Sequence, residues 1–389
     1  LKALYTGGTF TDLSKLKHTL RMTNTGSFDT RLLNGTMGDK DRTTSFDLIL
    51  FKIGQEWDNG VGYDYEVPIV ITGEEAYFTG PSNWIEAQTG IFWDNGTGVY
   101  SGSPSGITVT MQHFNKGNEN IEMDVTDYVN GVLTGDPNYG LGIAYNRPFE
   151  LMSTTSLQYV GFFTNNTQTF YEPYIETIYD NHIEDDRNNF YFESSNLESD
   201  DNIQNIYFYN KVNGVLKNLP LDTVPFVKID DEDGNELTSS ILSTKVSTGV
   251  YRASFSLTGS EDIGLVDTWY SGSVTYFSSA INAKIRTFDD TAVNSEYVFG
   301  ITNLKNSYKN YEFPSIRIFG REKNWSPNVY KVSTSAINTL TFKNLYYKVF
   351  RIVDNLTIID YGISPIAYTK CSYDKNGNYF DLDMSIFEP

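Results

Sequence analysis

Apolar and polar residues alternate over short runs along most of the chain, and Gly, Asn and Asp residues separate the runs. A period of two places successive side chains on opposite faces of a strand, so this pattern predicts half-buried β-strands. No apolar pattern with a 3.6-residue period continues over three turns, which argues against a helical fold. The clearest predicted strands lie at 45–53, 106–114, 158–164, 173–179 and 205–210.

One stretch, IEMDVTDYVNGVLTGDPNYGLGIAY at 121–145, changes its period twice. Its two ends are strand-like, whereas its middle has apolar residues at helical spacing, so it predicts a strand, a short helix and a second strand. Asp124 or Thr126 is expected to cap the helix, and Gly135 is expected to end it. The side chains expected to face the core are Val125, Val129 and Leu133.

Many short strands with frequent turns predict an all-β protein built of β-sandwiches. We expect a jelly-roll-like domain over 1–185, an immunoglobulin-like β-sandwich over 186–290 and a smaller C-terminal β-sandwich over 291–389. The polar stretch DNHIEDDRNNF at 180–190 has no apolar periodicity and is expected to form the first boundary. The first domain is expected to be incomplete at its start, and the last at its end.

The charge of the chain argues against two classes of partner. The chain has 49 acidic and 29 basic residues, which gives a net charge of −20. Such a chain repels phosphate groups, so we expect no binding to nucleic acid or to an anionic membrane surface. No run approaches the ~20 apolar residues that a membrane helix needs.

Two acidic turns are candidates for calcium loops, because alternating Asp and Asn residues are typical of such loops. In KIDDEDGNE at 228–236, placing Gly234 at the sixth loop position leaves Ile229 first and Ser240 twelfth, where carboxylate ligands are required. The stretch at 372–383 fails in the same way. We expect each to be a hairpin with a glycine at positive φ, and we predict no metal and no cofactor.

Catalytic groups are not singled out either. Hydrolysis of a glycoside needs two carboxyl groups at a set separation across a cleft, and a chain this acidic supplies many chance pairs. The acidic residues considered for this role are Glu74, Glu75, Glu184, Asp185 and Asp186, and solvated surface positions are expected for them.

The lone cysteine and the histidines receive structural roles. Cys371 is expected to be a buried or half-buried structural residue, since no histidine lies near it in the sequence. His18 and His113 lie in strand-like runs and are expected to be sheet residues. We therefore predict no catalytic residue and no enzyme.

Aromatic residues are the strongest binding candidates. Trp84, Phe92 and Trp93 lie together in the Gly- and Asn-rich stretch SNWIEAQTGIFWDNG at 82–96. Such rings stack on sugars, and they are also enriched at protein interfaces. The alternative, which we favour, is that Trp84 and Phe92 are core residues and that Trp93 holds a loop.

Several stretches, which together cover most of the chain, resemble a family of virion structural proteins of tailed bacteriophages, including crAss-like phages. The stretches that carry the resemblance are SKLKHTLRMTNTGSFDTRLLNG, SNWIEAQTGIFWDNGTGVYSG, IEMDVTDYVNGVLTG, YVGFFTNNTQTFYEPYIET, DDRNNFYF and SYDKNGNYFDLDMSIFEP. The resemblance implies a non-enzymatic subunit of the virion neck, tail, ring or fibre. Its expected partners are other virion proteins and further copies of itself around the tail axis.

The first domain also resembles, more loosely, the jelly-roll modules of carbohydrate-binding proteins. The shared stretches are DVTDYVNGVL at 124–133 and YEPYIETIY at 171–179, and they imply a last strand that carries Tyr174 and Ile175. No ligand-contacting residue carries over. A carbohydrate-binding module or an adhesin for host surface glycans therefore stays open as the alternative function.

Overall fold

The computed structural model describes residues 5–6, 12–25, 45–58, 70–71, 74–75, 82, 86–88, 90–93, 108–146, 160–165, 169–286, 296–323 and 339–387. The chain divides into an N-terminal unit, Leu16–Ile178, and a C-terminal unit, Tyr179–Pro389 with Leu1–Lys15. Strands dominate both units, which confirms the predicted all-β sandwich class. The division into three domains stays a prediction. Among the described residues, no helix has the length and apolar character needed to span a membrane.

The N-terminal unit contains two three-stranded sheets, ordered β10-β1-β8 and β7-β2-β9, and two short hairpins, β3-β4 and β5-β6. Its strands are β1 (Leu16–Met22), β2 (Phe46–Lys52), β3 (Val70–Ile71), β4 (Glu74–Glu75), β5 (Glu86–Gln88), β6 (Ile91–Phe92), β7 (Thr108–Phe114), β8 (Ile121–Asp124), β9 (Leu141–Tyr145) and β10 (Tyr174–Tyr179). Ile49 of β2 lies opposite Met111 on one side and Ala144 on the other. Because β2 is central, its continuous apolar run Leu48–Phe51 is buried on both faces.

Of the predicted strand at 158–164, residues 158–159 lie outside the described part, and for 160–164 the prediction of a strand is wrong. Within residues 160–165 the structure has a single bridge, between Asn24 and Phe162. Two backbone hydrogen bonds accompany it, from Phe163 N to Thr23 O and from Thr25 N to Gly161 O, each 2.9 Å long. Alternating apolar residues indicate an extended segment with one face covered. Such a segment need not pair with a neighbour along its whole length, and this one pairs at a single bridge.

The stretch 121–145 folds as predicted into strand β8, helix α1 (Thr126–Thr134) and strand β9. Val125, Val129 and Leu133 are buried, and Gly135 ends the helix with φ of +125°. The predicted cap is wrong, because the N-cap position belongs to Val125 and not to Asp124 or Thr126. Asp124 still accepts a hydrogen bond of 2.9 Å from Thr126 N, which satisfies the first free amide of the helix.

The C-terminal unit begins with a β-sandwich whose two sheets are ordered β11-β20-β19-β15-β16 and β12-β18-β17. The strands of this part are β11 (Phe190–Tyr191), β12 (Gln204–Tyr209), β13 (Lys211–Val212), β14 (Val215–Leu216), β15 (Phe226–Asp231), β16 (Glu236–Leu242), β17 (Thr244–Ser247), β18 (Val250–Phe255), β19 (Ile263–Ser271) and β20 (Val274–Lys284). Of these, β13 and β14 form a separate hairpin. One buried cluster draws side chains from both sheets, with Trp269 and Tyr251 as its largest members. This shared core holds the two layers together.

The unit continues with a four-stranded sheet, ordered β21-β22-β26-β25, and a hairpin, β23-β24. These strands are β21 (Tyr297–Ile301), β22 (Ser315–Glu322), β23 (Val349–Phe350), β24 (Thr357–Ile359), β25 (Ser372–Asp374) and β26 (Gly377–Asp381). Ile316, Cys371, Tyr373 and Tyr379 supply buried side chains here. Arg317 of β22 makes a bidentate pair with Asp374, with both N–O distances 2.8 Å.

Candidate functional site

The polar stretch at 180–190, expected to be a solvated boundary, contains buried charges. Asp185, Asp186 and Arg187 are 4%, 1% and 7% exposed. The prediction of solvated positions is therefore wrong for both of these carboxylates. Composition cannot show which donors a carboxylate meets. Here Arg187 pairs with Asp185, and Tyr373 of β25 and Lys343, both distant in the sequence, reach Asp186.

Arg187 is the centre of this network. Its Nη1 lies 2.7 Å from Asp185 Oδ2 and donates to Tyr207 O at 2.6 Å. Its Nη2 lies 2.7 Å from Asp267 Oδ2. Trp269 Nε1 donates to the same Asp267 oxygen at 2.6 Å. One guanidinium thus joins the 180–190 segment to both sheets of the sandwich and divides its charge between two carboxylates.

Burial sets the protonation of this network. It raises the pKa of Asp185 to about 6, because loss of water outweighs the attraction of Arg187. Burial opposes the charge on Arg187 as well, but the two carboxylates outweigh that effect and raise the pKa of the guanidinium. Arg187 therefore stays charged, and Asp185 binds a proton in mildly acidic solution.

Asp186 connects the same segment to the four-stranded sheet. It accepts hydrogen bonds of 2.8 Å from Tyr373 Oη and from Asn205 N. Lys343 Nζ lies 3.5 Å from the carboxylate. Burial raises the pKa of Asp186, which these donors only partly offset.

Four further ionisable side chains flank the network. Lys370 Nζ lies 2.6 Å from Glu184 Oε1, and His182 contacts both Glu184 and Asp180. The hydrogen bond from His182, together with Lys370, lowers the pKa of Glu184 to about 2. Burial opposes protonation of His182, but its two acidic partners outweigh burial and raise the pKa of the imidazole.

This network has a structural role, because it ties the 180–190 segment to the neighbouring sheets. Asp185, Asp186 and Asp267 are closed off from solvent, and each carboxylate is held by protein donors, so a substrate has no access to them. The described residues contain no group of three or more His, Cys, Asp or Glu side chains arranged to hold a metal ion. Glu74 and Glu75 form strand β4.

Cys371 is buried, as predicted, and burial raises the pKa of its thiol to about 12. The thiolate needed for nucleophilic chemistry is therefore disfavoured. His18 lies in β1 and His113 in β7, which confirms their prediction as sheet residues. His18 Nδ1 lies 2.8 Å from Thr177 Oγ1, and His113 Nδ1 lies 2.6 Å from Asp47 Oδ1.

Both acidic turns are hairpin turns, as predicted. Gly234 joins β15 to β16 with φ of +84°, and Gly377 follows the turn between β25 and β26 with φ of +99°. Asp231 accepts hydrogen bonds from the backbone and side-chain nitrogens of Asn235, at 2.7 and 2.8 Å. Its carboxylate stabilises the turn.

The three candidate aromatic residues do not form one surface. Trp84 lies outside the described residues. Phe92, at the end of β6, is 63% exposed, so its prediction as a core residue is wrong. Trp93 is half-buried and packs against the cluster of Ile49, Phe51, Ile53 and Ala144. Adjacent residues of an extended chain point in opposite directions, which explains why one ring faces solvent and the next is packed.

A more exposed apolar surface lies elsewhere, on residues 348–363, which we call the apolar hairpin. Here β23 pairs with β24, and Ile352 and Val353 in the connecting turn are 84% and 93% exposed. The other large exposed apolar side chains of this hairpin are Phe350, Leu356, Ile358, Tyr361 and Ile363. Soluble proteins seldom expose a contiguous apolar group of this kind unless it binds a partner.

The apolar hairpin is electrically neutral. Its four charged side chains form two internal ion pairs, Lys348 with Asp360 at 3.0 Å and Arg351 with Asp354 at 2.6 Å. On a chain with a net charge of −20, this surface lets a partner approach without repulsion from its own residues. The sequence signal that was missed is the pair of β-branched residues in the turn RIVDN, where polar turn residues are the rule.

Comparison with known proteins identified no family, relative or similar structure. A scan against protein-family models, a search of curated proteins and a search of solved structures each found no match.

Proposed function

We propose that this chain is a structural subunit of a tailed-phage virion, in the neck, tail, ring or fibre, and that it acts through protein–protein assembly. The observation that carries the proposal is the apolar hairpin, whose turn residues Ile352 and Val353 project almost completely into solvent. Burying such side chains against a neighbour contributes about 25 cal/mol for each Å² of apolar surface. The resemblance of the sequence to phage virion proteins supports the virion as the assembly.

The mechanism assigns separate tasks to the apolar and the charged surfaces. The apolar hairpin docks on other virion proteins or on further copies of this chain around the tail axis. The acidic remainder of the surface disfavours wrong contacts, because like charges repel at every other approach. The Arg187 network stiffens the C-terminal unit that presents the hairpin.

The proposal is tested on purified virions of the phage that, on this proposal, encodes the chain. We expect mass spectrometry of purified particles to detect the chain as a component. A chain with I352S/V353S is expected to fall at least about tenfold in particle incorporation, since two exposed apolar anchors are lost. Thr357→Ser, an exposed polar change in the same hairpin, is the matched control and is expected to incorporate normally. Wild-type particles that lack the chain would refute the proposal.

A second candidate function is glycan binding, and the exposure of Phe92 favours it. An aromatic ring that is 63% exposed beside a packed Trp93 offers a fixed apolar face for a sugar ring. On a glycan array we expect binding, if this function holds, to be lost in Phe92→Ala and in Trp84→Ala. Phe350→Ala, which removes an exposed ring from the apolar hairpin, is the control and should retain it. An array without any bound glycan removes this candidate.

A further inference from the structure

The four-stranded sheet of the C-terminal unit has two unlike edges. At the β25 edge, Tyr373 N donates to Ile183 O at 2.9 Å, and Asp185 N donates to Tyr373 O at 3.1 Å. Residues 183–185 therefore cover that edge. At the opposite edge lies β21, and within the described part of the chain no hydrogen bond reaches its outer side. In the described residues this sheet has one covered edge and one open edge.

The backbone direction of β21 follows from its two flanking hydrogen bonds. Lys323 N donates to Glu296 O at 2.7 Å, and Thr302 N donates to Arg317 O at 3.1 Å. Because backbone groups alternate sides along an antiparallel strand, the even-numbered residues bond to β22. The N–H and C=O groups of Tyr297, Phe299 and Ile301 therefore point out from the open edge.

The side chains of β21 do nothing to protect this edge. All five residues are exposed, and none of them is charged. The pairing with β22 runs in register without a bulge. Natural sheet edges are usually guarded by a charge, a proline or a bulge, and β21 has none of these. Phe342 packs edge-on against Tyr297 and Phe299, with centroids 4.9 Å apart in each case, and so supports the strand in an extended form.

We propose that β21 pairs antiparallel with β21 of a second copy of this chain, about a two-fold axis through Phe299. This inference rests on the proposed function in assembly. Phe299 then lies opposite Phe299 of the partner subunit, and Tyr297 lies opposite Ile301 of the partner subunit. Each of these pairs exchanges two backbone hydrogen bonds, because both members point outward. Val298 lies opposite Gly300 of the partner subunit, where no side chain competes for the space.

Charge and topology select a second copy as the occupant. Two chains that each carry a net charge of −20 repel one another, so a self-contact is favoured where neither copy presents a charge. Every cross-strand pair in this arrangement is uncharged. The covered β25 edge also stops the pairing at two copies, since a sheet with one open edge cannot extend into a filament. Five residues span only about 17 Å of strand, so we expect dissociation in the micromolar range.

Two double variants of the full chain test both the surface and the register. In V298K/G300K the two-fold pairing places lysine opposite lysine, whereas in V298K/G300E it places lysine opposite glutamate. Both positions tolerate the change, because Val298 is exposed and a Cβ at Gly300 meets no atom within 4 Å. The mass of each protein is measured by sedimentation equilibrium at low salt, up to a concentration of about 100 µM, which suits a weak contact.

We expect the wild type to approach twice its monomer mass of 44.1 kDa. The dissociation constant of V298K/G300K is expected to exceed that of V298K/G300E by about tenfold or more. A monomeric wild type would overturn the inference. The open edge of β21 would then be available only for pairing with a different protein. Equal dissociation constants for the two variants would overturn it too, because a contact elsewhere or in another register does not distinguish them.

The outcome separates this inference from the proposed function. If particles contain the chain but the purified chain is a monomer, the self-pairing of β21 fails and the assembly role stands. If the chain dimerises as described but is missing from particles, the virion role fails and the strand pairing stands.

Discussion

Replacing Arg187 by Met is expected to lower the free energy of unfolding by about 3–5 kcal/mol, the range measured when one partner of a buried ion pair is removed. The variant leaves Asp185 and Asp267 buried without their shared cation, and Tyr207 O loses a donor at 2.6 Å. Methionine keeps the unbranched aliphatic chain but loses the guanidinium, whose carbon lies 5.5 Å from the centre of the Phe277 ring. The loss therefore reports the charge and its contacts more than the volume of the chain. Chemical denaturation followed by circular dichroism measures the effect.

Arg351→Met is the matched control. Arg351 pairs with Asp354 at 2.6 Å, but both side chains are 44% exposed, and such surface pairs contribute little to stability because solvent screens them. A triple change, R187M/D185N/D267N, is expected to recover a large part of the loss, because it removes the charges that were left unpaired. Equal destabilisation by R187M and R351M would show that the Arg187 network does not hold the unit together.

Replacing Asp185 by Asn is expected to change how stability depends on pH. In the unfolded chain Asp185 ionises near its ordinary value of 3.8, and in the folded chain its pKa is about 6. Between pH 4 and pH 6, roughly, the folded wild type holds a proton that the unfolded chain has released, so its stability falls as pH rises. The difference between the two pKa values corresponds to roughly 3 kcal/mol.

The amide of D185N does not titrate, so the free energy of unfolding of this variant relative to the wild type is expected to increase by up to roughly that amount from pH 4 to pH 6. Asparagine retains the acceptor that caps Arg187 N. Asp354→Asn is the control. Its hydrogen bond from Arg351 lowers the pKa of Asp354 to about 2, so its effect on stability varies only below about pH 4. A D185N difference that stays flat across the window would contradict the burial argument.

Local pattern was enough to predict much of the fold. Alternation and the apolar run predicted β2 and β7, and the period change in 121–145 predicted strand, helix and strand. The turn glycines Gly234 and Gly377 were predicted because only glycine adopts positive φ without cost at such turns. Each of these features depends on residues that are close in sequence, and their physical causes act over the same short range.

The contacts between distant residues were not predictable in this way. Asp185 and Asp186 were expected to be solvated. Asp186 is reached by Tyr373 and Lys343, which lie far along the chain. Asp185 pairs with Arg187, which Asp267 holds from β19. Phe92 is exposed although its apolar side chain favours the core, because its neighbour Trp93 takes the side of the chain that packs against the core.

By itself, the sequence determined an acidic, strand-rich chain whose turns, short helix and buried cysteine follow from local preference and hydrophobic pattern. Only the tertiary structure decided which charges are enclosed around Arg187 and which apolar residues, at 348–363 and along β21, are left uncovered. Burial is a property of the whole packed chain, since a side chain loses its water only when residues from distant segments surround it.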